Sequence, residues 1–88
     1  MTSSAVETTA RASNVSTTET ELIVHLVDGR TIIVPLEWYP RLNAATADQR
    51  AKYRLIGDGE YINWPDVDED LSVSGLLRGV RAPQQQAG

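Results

Sequence analysis

Residues 21–36, ELIVHLVDGRTIIVPL, decide the fold. Two apolar runs, rich in leucine and β-branched residues, flank Asp28-Gly29. Such runs suit a pleated, half-buried surface. An Asp-Gly pair between them suits a two-residue type I′ turn, whose central residues both need positive φ. The implied hairpin pairs Val27 with Arg30, Leu26 with Thr31, Val24 with Ile33 and Leu22 with Pro35. One face then carries Leu22, Val24, Leu26, Thr31 and Ile33; the other carries Ile23, His25, Val27, Arg30, Ile32 and Val34. Both faces are largely apolar, so each needs a cover. A helix can cover one, and a second chain or a long loop the other.

Moving outward on the C-terminal side, Pro35 ends the second strand, because it cannot donate to a ladder. The aromatic stretch LEWYPRL (36–42) reads as a short irregular or 3₁₀ segment. Thr46, with Gln49 three residues on, has the spacing of a capping box and predicts a short helix over 47–53. Leu55-Ile56 and residues 61–64 (YINW) flank a turn with two glycines, Gly57 and Gly59, and predict a second hairpin that Pro65 stops. Ser72 is a suitable N-cap for a helix over 73–78, Leu71 and Leu76 form its hydrophobic staple, and Gly79 stands where a C′ glycine belongs. The expected architecture is α+β: a small single domain of two β-hairpins and two short helices.

On the N-terminal side, residues 1–19 are mostly Ser, Thr, Ala and Glu without apolar period. Such a segment cannot bury enough apolar surface to offset its ordering entropy, so it is expected to be a disordered tail. Residues 81–88 read the same way. The domain is then expected over 20–80, a span of about sixty residues that is marginal for one core and gains from a partner or a second copy.

Composition excludes several chemistries. The 88 residues contain no cysteine, which removes disulfides, thiol nucleophiles and thiolate metal sites and fits a reducing cytoplasm. No apolar run is long enough to span a membrane. No basic start followed by an apolar core opens the chain, so no secretory signal is expected. The net charge of −4 disfavours non-specific nucleic-acid binding, which is driven by phosphate neutralisation. Charge is also segregated. Residues 41–54 carry Arg41, Arg50, Lys52 and Arg54 against Asp48 alone, whereas residues 58–70 carry six acids and no base. The two segments either neutralise each other within one molecule or serve charged partners.

The densest acids are Asp66, Asp68, Glu69 and Asp70, directly behind Trp64-Pro65. Asp66, Asp68 and Asp70 have the opening spacing of a calcium loop, but Leu71 stands where that loop needs Gly and Leu77 where it needs Glu. No metal or other cofactor is expected. Paired-carboxylate catalysis needs acids placed across a cleft with their pKa values pushed apart, and adjacent acids do not suggest it. The single histidine, His25, lies mid-strand among apolar residues and reads as structural. There is no phosphate loop, dinucleotide fingerprint or nucleophile elbow, so an enzyme is not expected. Trp38, Tyr39, Tyr53, Tyr61 and Trp64 are needed first for the core. Trp and Tyr also anchor interfaces, and Trp38-Tyr39-Pro40 and Trp64-Pro65-Asp66 are where part of an aromatic could stay exposed.

Taken together, L-x-D-G-R at 26–30, P-L-x-W-Y-P-R-L at 35–42, A-x-x-x-Q-R at 45–50, I-x-W-P-D-x-D-E-D-L-S at 62–72 and G-L-L-R-G at 75–79 resemble the bacterial family named domain of unknown function 2442. The resemblance covers about residues 20–80. It implies a small α+β domain with an antitoxin-like role, beside a small toxin-like partner of the domain of unknown function 4160 type. Some members carry an added helix-turn-helix. Direct operator binding is not expected here, because the chain has no such extension after Gly79. The resemblance brings no catalytic residues.

The expected function is therefore that of a small cytoplasmic protein-interaction module. It would bind a basic partner through Trp64, Asp66, Asp68, Glu69 and Asp70, with Trp38 and Tyr39 as further contacts. The alternatives are a nucleic-acid-associated transcriptional factor using Arg41, Arg50, Lys52 and Arg54, and a homodimeric domain without catalytic activity.

Overall fold

The computed structural model describes residues 10–81. Strands β1 (Ala12–Thr17), β2 (Glu21–Leu26) and β3 (Thr31–Pro35) form one antiparallel sheet in that order. A 3₁₀ turn (Leu36–Trp38) and two short helices, α1 (Pro40–Asn43) and α2 (Ala47–Ala51), lead to the second sheet. That sheet is β4 (Arg54–Ile56), β5 (Tyr61–Trp64) and β6 (Glu69–Ser72), again in order and antiparallel. Helix α3 (Val73–Leu77) follows directly. The α+β expectation holds for a single domain, with a third strand added to each expected hairpin.

The central hairpin forms, but one residue out of the expected register. His25 lies opposite Thr31, Val24 opposite Ile32, Ile23 opposite Ile33 and Leu22 opposite Val34. The reason is the turn. Asp28 does not adopt positive φ; only Gly29 does, at +99°. The Gly29 N–H donates to Leu26 O at 3.0 Å and the Leu26 N–H to Arg30 O at 2.7 Å. The loop is therefore three residues long, a turn closed by a left-handed glycine. Asp28 uses its side chain instead, accepting from the Arg30 N–H at 3.0 Å and from Arg30 Nε at 2.9 Å. A one-residue slip transfers every side chain of a strand to the other face. Ile32 and Val34 consequently join Leu22, Val24 and Leu26 on the inner face, and Ile33 is turned outward, 57% exposed.

One core joins both sheets. Leu22, Val24, Leu26 and Val34 from the first pack in the same cluster as Ile62, Trp64 and Leu71 from the second, with Val73 and Leu76 of α3 and Leu36, Tyr39 and Leu42 from the connection. The capping box of α2 is present: the Thr46 hydroxyl accepts from the Gln49 N–H and Gln49 Oε1 from the Thr46 N–H, both at 3.0 Å. Helix α3 has its Ser72 cap, and Gly79 follows it with φ +79°.

The expected tail boundary at residue 19 is corrected. Residues 12–17 form β1, which pairs with β2 from Thr17↔Leu22 to Ala12↔Leu26 through a bulge at Ser13. Only Ala12 and Val15 of this strand are buried. Its place comes from β2's open edge and from the second sheet: the Ala12 N–H donates to Gly59 O at 2.7 Å. A Cβ on Gly59 would collide with the Ala12 carbonyl oxygen. Arg81, assigned to the C-terminal tail, stacks its guanidinium 4.6 Å from the Trp38 ring centroid. Of the expected tails, residues 1–9 and 82–88 lie outside the described residues.

Candidate partner-binding surface

The acids behind Trp64 do not form one cluster. Asp66 lies in the turn between β5 and β6, and Asp68 stands at its end with φ +55°. Strand β6 then begins at Glu69, and strand alternation divides the remaining two. Asp70 points outward with Ser72, while Glu69 points inward with Leu71, opposite Trp64. Burial pushes the Glu69 carboxyl above its ordinary range; Arg41 opposes this, and Asp70 and Asp68 add to it.

The basic segment meets the acidic one within the molecule. Lys52 Nζ lies 3.9 Å from the Asp66 carboxylate and 3.3 Å from that of Asp48. Arg41 donates to the Asp68 carbonyl at 2.6 Å, with the Asp68 carboxylate 3.7 Å away. On the outer face of the second sheet, Arg54 donates to Asn63 Oδ1 at 3.1 Å, and Asn63 Nδ2 donates to Asp70 at 2.6 Å. These groups are exposed, and each such pair contributes about 0–1 kcal/mol. Arg50 does something else. Its half-buried guanidinium donates to Leu42 O (3.0 Å), Asn43 O (2.8 Å) and Thr18 O (3.4 Å), satisfying carbonyls at the end of α1 and tying them to the first sheet. The four bases therefore form no free patch.

Two of the nominated aromatics are core. Trp64 is fully buried, and its indole N–H donates to Arg50 O at 3.0 Å. Tyr39 is 2% exposed, and its hydroxyl donates to Val80 O at 2.7 Å. Neither offers surface to a partner. Trp38 is half-buried beneath Arg81. Of the seven nominated positions, Asp66, Asp68 and Asp70 remain exposed. His25 is exposed, with Nδ1 3.1 Å from the Thr31 hydroxyl. Among the described residues, no group of three or more His, Asp or Glu side chains is arranged to hold a metal.

A different surface stands out on the first sheet. Among the described residues nothing covers its outer face, and Ile23 and Ile33 lie side by side on it. Strand β3 is an edge. The Leu26 N–H bond to Arg30 O at one end, and the Leu36 N–H bond to Thr20 O at the other, set which residues face β2. Hydrogen-bonded pairs alternate along an antiparallel ladder. Ile32 and Val34 therefore bond to β2, while the N–H and C=O groups of Thr31 and Ile33 point away from the sheet. At the Pro35 end of this edge lies a groove of about 600 Å³, lined by Glu21, Glu37, Thr20, Asn43 and Ile33 among others and by no basic side chain. Sequence reasoning missed this surface because the one-residue register error had grouped Ile33 with Leu22, Val24 and Leu26 on one face and Ile23 on the other. The Gly of Asp28-Gly29, read as the closing glycine of a three-residue loop, is the signal that finds it.

A family model described as "Protein of unknown function (DUF2442)" matches residues 12–82. No match was found among curated proteins. Among solved structures, the chain is similar to a protein of unknown function from Rhodospirillum rubrum, with 28% identity and a TM-score of 0.74, covering 85% of this chain and 93% of that one. It also shares the fold of an uncharacterised protein from Chromobacterium violaceum solved by NMR, at 21% identity and a TM-score of 0.71, covering 85% of this chain and 71% of that one.

Proposed function

The chain belongs to the DUF2442 family of proteins of unknown function, and we propose that it is a cytoplasmic protein-interaction module without catalytic activity, antitoxin-like in neutralising a basic partner protein. One observation carries this reading: the uncovered face of the first sheet sets apolar Ile23 and Ile33 beside a groove whose charged side chains are both carboxylates. An exposed apolar patch rimmed by polar groups is the usual mark of a protein contact. The charge selects a basic partner. Asp66, Asp68 and Asp70 add a negative field, which speeds encounter more than it tightens binding. The bases give the nucleic-acid reading no support, since Arg50 is held by carbonyls and Arg41, Lys52 and Arg54 face acids or Asn63.

The test is a tagged pull-down from the native cytoplasm at low and high salt, read by mass spectrometry. One stoichiometric basic protein, released by salt, is expected. Recovery of the bait alone would overturn the reading.

A further inference from the structure

We infer that the β3 edge is a strand-addition site, taking an extended segment that carries lysine or arginine. The inference rests on the protein-interaction reading above and specifies its site and mode. Strand addition draws affinity from main-chain hydrogen bonds at a free sheet edge and specificity from alternate side chains.

Three features of the edge fit this mode. Outward-facing N–H and C=O groups of Thr31 and Ile33 offer four main-chain hydrogen-bonding positions, and both residues are exposed. Pro35 has no N–H, so it limits the new ladder and sets its register at that end. Beyond Pro35 the ladder gives way to the groove with Glu21 and Glu37, and neither is in an ion pair among the described residues. Arg50, which reaches the groove-lining Asn43, is tied to three carbonyls, one of them Asn43's. The complementary segment therefore pairs briefly with β3, sets an apolar side chain beside Ile33, and carries a cation to Glu21 and Glu37. A second copy of this chain fits less well, because it brings a net charge of −4 to an acidic groove. The opposite edge of the sheet is not equivalent: the outward Val15 N–H on β1 is already taken by the Tyr53 hydroxyl at 3.2 Å.

The probe is a synthetic heptapeptide alternating lysine and valine, titrated into the full chain and followed by backbone amide NMR. The Thr31 and Ile33 amides are expected to shift and to exchange more slowly, with binding weakened by salt. Glu21→Gln with Glu37→Gln should weaken it about three- to ten-fold, the range for two exposed charge pairs. Ile33→Pro should abolish it. That change deletes an outward N–H and no bond to β2, so an unchanged circular dichroism spectrum is expected. Equal binding of a glutamate–valine peptide would overturn the charge argument. Shifts confined to residues 66–70, or no shifts, would overturn the site. So would protection of Thr31 and Ile33 that grows with protein concentration in the absence of peptide, since a second copy would then be the occupant. If the cytoplasmic partner is captured equally by the wild type, by Ile33→Pro and by the double Gln variant, strand addition falls and the interaction reading stands. If no partner is captured at all, the reading falls.

Discussion

Trp64 carries the largest fully buried side chain, with its indole N–H bonded to the Arg50 carbonyl, so one residue serves both packing and polar satisfaction. Trp64→Ala should cost about 3–5 kcal/mol in urea unfolding, and Trp64→Phe less, since only part of the volume and one hydrogen bond are lost. Arg50 is the polar counterpart. Its three carbonyl contacts need a planar fork, so Arg50→Lys should restore little of the roughly 1–3 kcal/mol lost in Arg50→Met. Glu69 works the other way. Its carboxyl is raised above its ordinary range by burial, so the folded state holds its proton more tightly than the unfolded chain. The stabilisation this gives is fully present below the ordinary glutamate range and is lost as pH rises through the raised value. Glu69→Gln should therefore melt at a higher temperature than the wild type near pH 7, with the gap closing near pH 3. Melting curves that differ equally at both pH values would contradict this assignment.

Elements show where sequence sufficed and where it did not. Helices α2 and α3 were legible because their caps are local, and Thr46→Ala should cost about 1 kcal/mol. The central hairpin was legible as a hairpin but not in register, because Asp28-Gly29 suits both a two-residue and a three-residue loop. The Asp28 contact with the Arg30 N–H goes with the longer one. Strands β1 and β6 were illegible for another reason. Each buries one or two residues, Ala12 and Val15 in β1 and Leu71 in β6, and the rest are polar. Tertiary pairing rather than local preference makes them strands. Gly59→Ala should expose that dependence: the left-handed backbone and the contact with Ala12 both resist a Cβ. A loss of more than about 1 kcal/mol is expected, with the amides of β1 losing exchange protection first.

At the scale of the whole molecule, the acidic and basic segments meet in cis, with Lys52 beside Asp66 and Arg41 beside Asp68. Their pairing was legible as one of two readings; the dispersal of Asp66, Asp68, Glu69 and Asp70 was not, because it depends on β6 beginning at Glu69. Replacing Asp66, Asp68 and Asp70 together with Asn should leave the fold intact. At low salt it should slow association with a basic partner up to about ten-fold, with little change in dissociation. Stopped-flow measurements on the captured partner separate the two rates.

The central claim is that the three-residue turn leaves Ile33 and the outward N–H groups of β3 free on a folded sheet. Native-state hydrogen exchange of the isolated chain tests it most directly. The account predicts slow exchange at Ile32 and Val34, whose N–H groups bond to β2, and fast exchange at Thr31 and Ile33. The reverse pattern, or equal protection of all four, would contradict it.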